Sequence, residues 1–186
     1  LENELNPVRD NNLEIISRIQ RLNLELQNLD EDTERMSNEI ETTKMGLKTI
    51  DEDELEEWPY FFAPDGYYSV TTRKNHELKM PVGIILCENR AMMEDRISAL
   101  RHANVFEPHT YRHLIDPPLV VKEENEEYSV QTSFACFRTF QSSSSEIFCT
   151  GKYLDRIAEG QKGLQFLERI VVCDSERIDT LLVIPL

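Results

Sequence analysis

The sequence predicts an α+β fold in which helical sequence comes first and a sheet, mostly antiparallel, follows. Three stretches carry that reading. From Ile15 to Ile50, apolar or small residues recur at alternating steps of four and three, which lays one stripe along a helix. From Tyr128 to Cys173, long segments rich in aromatic and β-branched residues are separated by short polar loops, the pattern of a meander. Between them lies Ile50 to Tyr68, IDEDELEEWPYFFAPDGYY. Its acidic run ends a helix, its aromatic block around Trp58 forms a dense apolar plug, and Pro64-Asp65-Gly66 turns the chain into the first strand.

Leu1 to Asp10 is polar, contains Pro7 and reads as a frayed lead-in. The stripe then runs through Ile15, Ile19, Leu22, Leu26, Leu29, Thr33, Met36, Ile40, Thr43, Leu47 and Ile50. Asp30-Glu31-Asp32 and Gly46 lower helix propensity, and LDEDTERM at Leu29 echoes IDEDELEEW at Ile50. One long helix and two helices broken near Asp30 both fit. For Ile40 to Ile50 the expected role is an amphipathic helix on the domain's own core. Ile15 to Leu29 has no sheet to cover, so packing on another chain is expected there.

Tyr67 to Arg73, YYSVTTR, reads as a strand, Lys74 to Pro81 as a polar loop and Val82 to Cys87 as a second, apolar strand. Asn89 is placed to cap a helix from Arg90 to about Ala103, with Met93, Ile97 and Leu100 facing inward. His109 to Ile115 is extended again and stops at Asp116-Pro117-Pro118, because a residue before proline is pushed out of the helical region. Leu119 to Lys122 continues as strand, and Glu123 to Glu127 is a solvated hairpin tip. Tyr128 to Phe140, Glu146 to Ile157 and Leu164 to Cys173 form the meander, and Leu181 to Leu186 is expected as a final apolar strand. Phe134, Cys136 and Phe140 share one parity of their strand and Ala135 and Phe137 the other. Such a strand needs helices on one face and something else, such as another subunit, on the second.

The 186 residues suit one domain with a real core, and the net charge of −15 argues against nucleic acid and anionic membranes as partners. No apolar run approaches a membrane span and no signal-peptide layout opens the chain, so a cytoplasmic protein is expected. Cys87, Cys136, Cys149 and Cys173 stand apart inside apolar segments and read as buried free thiols.

The one metal-like spacing is His109 and His113 with Glu107 and Asp116 nearby. On a strand, four residues separate two side chains by roughly 13 Å, too far for one ion. A structural or interface role for Tyr111, Arg112 and His113 is expected instead, with Arg112 a partner for surplus carboxylates. No GxSxG elbow, phosphate loop, HExxH or Cys-His cluster spacing is present. An active site would have to be a cavity lined by isolated residues such as Asp65, His102 and Asp155.

DEDELEEWPYFF, APDGYYSVTTR, GIILCENRAMMEDRISALRHANVFEPHTYRHLI and VVCDSERIDTLLVIPL, in that order, resemble the small (β) subunit of bacterial aromatic-ring-hydroxylating dioxygenases. The branch acting on salicylate and anthranilate is the nearest in flavour. The resemblance covers 40–186, which it implies is an NTF2-like domain, and leaves 1–39 outside it as an N-terminal helical extension with heptad pattern. The NTF2-like fold is a cone, a strongly curved mixed sheet wrapped around N-terminal helices. It also implies a non-catalytic structural subunit, with no catalytic, cofactor or metal residues of its own. A β trimer would sit in an α3β3 assembly with a large (α) subunit carrying a Rieske [2Fe-2S] cluster and mononuclear Fe(II), and NADH would be used by a separate reductase.

Interface positions expected on this reading are Trp58, Tyr60, Arg96, Arg112, His113 and Leu186. Trp58, Phe61 and Phe62 should plug the cone's open end, and some carboxylates of Asp51 to Glu57 should meet arginines such as Arg96 or Arg112, or a partner's basic residues. The alternative is a stand-alone NTF2-like isomerase or dehydratase with an acid/base pair inside the cone.

Overall fold

The computed structural model describes residues 2–124, 127–141, 144–160, 163–177 and 182–186, with side chains from residue 14 onward except 31–32, 34–36, 38–40 and 123–124. The chain divides into two units, Leu1–Asn38 and Glu39–Leu186. Helix α1 spans Glu2–Asp51, so the segment near Asp30 continues as helix. Thr33 is accommodated there by donating its hydroxyl to the Leu29 carbonyl at 2.8 Å.

In the first unit, every described side chain of the stripe is exposed. In the second, Thr43, Leu47 and Ile50 are buried, so this end of α1 covers its own domain's core as the periodicity predicts. The helix stops where Asp53 takes a left-handed conformation, with φ 61°, and the Glu54 amide reaches back to the Thr49 carbonyl at 2.8 Å. That bond satisfies a carbonyl the helix would otherwise leave open.

A single 3-10 turn, Trp58–Phe61, leads into β1 (Phe62–Thr72). Helix α2 (Arg73–Glu77) follows at once, because the Thr72 hydroxyl accepts the Asn75 amide at 3.2 Å. The polar loop expected over Lys74 to Pro81 therefore begins as a capped turn of helix. Strand β2 is only Ile85–Cys87, and α3 spans Arg90–His102. The Asn89 side chain accepts the Met92 amide at 3.0 Å, and Met93, Ile97 and Leu100 are buried, both as the sequence predicts. Strands β3 (His109–Ile115), β4 (Leu119–Glu124), β5 (Glu127–Phe140), β6 (Glu146–Gly160) and β7 (Gly163–Cys173) complete the sheet. The tips at 125–126, 142–143 and 161–162 lie outside the described residues.

The seven strands run in the order β2-β1-β7-β6-β5-β3, with β4 also paired to β5. Among the described residues, β1 and β7 pair in parallel and the other strand pairs are antiparallel. Register shifts interrupt β1/β7, β4/β5, β5/β6 and β6/β7, and such bulges bend and twist a sheet. The first of these corrects an expectation. Phe62 opposes Phe166 and Tyr67 opposes Glu168, so Pro64-Asp65-Gly66 is a bulge within β1 rather than a turn before it. Strong bending also needs close backbone approach. A Cβ on Gly151 would lie 2.1 Å from the Val172 carbonyl oxygen, so only glycine fits there.

Trp58, Phe62, Tyr68 and Phe166 are buried together, Trp58 lying edge-on to Phe62 and Tyr68 with centroids 5.3 and 4.8 Å away. Phe61 is only partly buried, so Trp58 and Phe62 supply most of the plug. Leu182 to Leu186 are buried but form no strand, which corrects the expected final strand; Leu181 lies outside the described residues.

Candidate functional site: a closed interior and an open sheet face

Directly opposed on β6 and β7, Asp155 and Arg169 both face inward. Arg169 donates from Nε and Nη2 to the two carboxylate oxygens at 2.9 and 2.8 Å, and the two side chains are 1% and 0% exposed. The guanidinium lies over the rings of Phe166 and Tyr153, 3.9 and 4.5 Å from their centroids. Burial pushes the Asp155 carboxyl up, and Arg169 offsets only part of that rise. This carboxylate is fully committed to one partner, and a base must be free to take a proton. Asp65 and His102 are exposed on β1 and at the end of α3, so neither shares a cavity with Asp155. The stand-alone acid/base reading is not favoured by this arrangement.

His113 is buried on β3 and reaches α1. Its backbone amide donates to Asp51 Oδ2 at 2.9 Å, and its Nδ1 lies 2.7 Å from Asp51 Oδ1. The pair ties the end of the helix to an edge strand. His109 instead places Nδ1 2.7 Å from the Glu107 carbonyl, and the Tyr111 ring stands between the two histidines. Among the described residues, no three His, Cys, Asp or Glu side chains are grouped to hold a metal ion. The four cysteines are free and buried, as expected, and burial pushes the Cys87 and Cys136 thiols up.

Within the acidic run, Asp53 and Glu56 meet a different arginine from those expected. Arg101, in the last turn of α3, contacts Asp53 Oδ1 at 2.7 Å, Glu56 Oε1 at 2.8 Å and the Asp53 carbonyl at 2.8 Å. Arg96, one and a half turns earlier, donates to the Leu182 carbonyl at 2.6 Å, and Arg112 points to solvent from β3. Position along α3 decides between Arg101 and Arg96, because its final turn lies within reach of Asp53 and Glu56 whereas Arg96 reaches Leu182.

The other face of the sheet is open. Cross-strand register puts Leu114 beside Ala135, Arg112 beside Phe137 and Phe137 beside Ile147 on one face. Leu114 and Ile147 are 57% and 65% exposed, and Leu119 on β4 is 62% exposed. Of the six expected interface positions, Tyr60 is 55% exposed, Arg112 is exposed and Arg96 is partly buried. Trp58, His113 and Leu186 are packed inside the chain's own domain. Leu114 and Ile147 were not singled out from sequence, although the two-sided apolar pattern of β5 pointed to their face.

No helix among the described residues is long and apolar enough to cross a membrane. Residues 47–180 match the family described as ring hydroxylating beta subunit. The β2 subunit of the terminal oxygenase component of terephthalate 1,2-dioxygenase from Comamonas sp. is 40% identical over 154 residues, covering 81% of this chain and all of that one. The small subunit of anthranilate 1,2-dioxygenase from Burkholderia cepacia is 32% identical, covering 87% of this chain and all of that one. A solved structure from Novosphingobium aromaticivorans, assigned as the β subunit of an aromatic-ring-hydroxylating dioxygenase, superposes with TM-score 0.75 at 29% identity, covering 82% of this chain and 97% of that one. The curved mixed sheet is thus the NTF2-like α+β fold of such subunits, which pair with a large oxygenase subunit. The chain belongs to the β-subunit family of aromatic-ring-hydroxylating dioxygenases.

Proposed function

We propose that the chain is a non-catalytic, structural subunit that organises three large subunits in an α3β3 assembly, in the cytoplasm. The observation that carries the reading is the open face bearing Leu114, Phe137 and Ile147, set against an interior whose buried acid is spent on Arg169. Apolar side chains exposed together on one sheet face mark an interaction surface. Three copies related by a threefold axis would cover these faces, with Arg112, Tyr60 and Arg96 at or beside the contacts and Trp58, His113 and Leu186 holding the domain rigid behind them. The relatives named for terephthalate and anthranilate support a carboxylated aromatic ring as the substrate class. The chemistry belongs to the large subunit, which would carry a Rieske [2Fe-2S] cluster and mononuclear Fe(II) and draw electrons from NADH through a reductase.

The test is co-expression with a Rieske-type large subunit, followed by mass measurement and metal analysis. The isolated chain should hold no iron and turn nothing over, and the complex should contain the two subunits in equal number, with the mass of a hexamer or twice it. Leu114→Asp with Ile147→Asp should disperse the β trimer while the isolated fold survives. A monomeric wild-type chain with its own turnover would overturn the reading.

A further inference from the structure

The family match begins at residue 47, so the helical segment Ile15–Leu29 lies outside it. Along this segment Ile15, Ile19, Leu22, Leu26 and Leu29 are 47%, 51%, 49%, 59% and 60% exposed. In heptad terms, Ile19 and Leu26 take the a positions and Ile15, Leu22 and Leu29 the d positions. Arg18 and Glu25 then flank the stripe at g, and Ile16, Asn23 and Asp30 flank it at e.

We propose that Ile15–Leu29 pairs with the same segment of a second copy of this chain, as two antiparallel helices. Charge decides both the occupant and its direction. In a parallel pair a g residue meets the e residue five positions on in the partner, so Glu25 would face Asp30 twice and Arg18 would gain only Asn23. In an antiparallel pair g meets g. Stacking Ile15 on Leu26 and Ile19 on Leu22, each twice by symmetry, brings Arg18 of each copy against Glu25 of the other and leaves Leu29 beyond the last apolar layer. The contact is then apolar along its centre and neutral at its rim, although the chain carries a net charge of −15. Two heptads bind weakly alone, but where the sheet faces hold three copies of the chain together, the pairs join two such sets and three contacts act at once. The pairing stands independently of the proposed α3β3 organisation, since it needs only two copies.

The experiment uses the full chain, by itself and with its large subunit, with mass read by light scattering and helix content by circular dichroism. Arg18→Glu or Glu25→Arg alone should weaken association about tenfold or more, with helix content unchanged. Mixing the two single variants should restore association, because each then offers the charge the other needs. The double variant Arg18→Glu, Glu25→Arg should associate within about twofold of wild type. For direction, an Ile15→Cys chain mixed with a Leu26→Cys chain should cross-link between the two kinds. Self-cross-linking of Ile15→Cys alone would overturn the antiparallel arrangement. Mass unaffected by either charge reversal, or affected only when the large subunit is present, would overturn self-pairing.

Discussion

The Tyr68 hydroxyl grips Leu186 twice, accepting its amide proton at 2.9 Å and donating to its carbonyl at 3.1 Å. Both residues are fully buried, and burial pushes the phenol well above its usual range, so it stays protonated and able to donate. This single side chain does for Leu186 what a neighbouring strand would otherwise do. Tyr68→Phe leaves a buried amide and carbonyl without that partner and should cost about 1–3 kcal/mol. Urea unfolding checks it, and a loss below about 0.5 kcal/mol would mean that the grip contributes nothing net.

Trp58 is 1% exposed and touches Phe62 and Tyr68 edge-on. Trp58→Ala should cost about 3–5 kcal/mol, the loss of a large buried ring plus the cavity it leaves. The same unfolding measurement decides it; a loss under about 1 kcal/mol would show that the aromatic block is not the plug.

For Asp155 and Arg169, removing one partner strands a buried charge, whereas replacing both removes the problem. Arg169→Met should therefore destabilise by about 3–5 kcal/mol, and Arg169→Met with Asp155→Leu by less. A double-mutant cycle reads the difference. If the double variant is the worse of the two, the pair is held by packing against Tyr153 and Phe166 rather than by its charges.

The contact of Arg101 with Glu56 gives stability a dependence on acid. A hydrogen bond from Arg101 holds the Glu56 carboxyl below its usual value. A group whose folded pKa is depressed contributes stability above its unfolded pKa, about 4.3 for Glu, and loses it as pH falls through the folded value. The melting midpoint should begin to fall below about pH 4.5, and Arg101→Gln should flatten that part of the curve. Some slope should remain, because Asp174 is also lowered: burial pushes its carboxyl up, but Arg73 and Thr150 outweigh it. Identical pH profiles for wild type and Arg101→Gln would show that Glu56 gains nothing from the contact.

What was legible in sequence was local. Asn89 followed by Met93, Ile97 and Leu100 is a cap and a stripe within one helix, and His109 to Ile115 is an alternating segment closed by Asp116-Pro117-Pro118; both elements form where these signals put them. The order of four motifs was enough for the family, and with it the fold, because each motif is contiguous. The candidate surface was legible only as a strand with apolar residues on both parities. Its members on other strands, Leu114 and Ile147, join it through register.

The sequence by itself therefore determined the helix stripes, the strands and the family of this protein, because neighbours within about a turn or a strand decide those. Only the tertiary structure decided that Arg101 rather than Arg96 or Arg112 meets the acidic run, that Asp155 is taken by Arg169, and that Leu186 is held by a hydroxyl instead of a strand. Each partner lies from 14 to 118 residues away. At such separations the pairing follows from how helices dock and how strands register, and no local pattern encodes either.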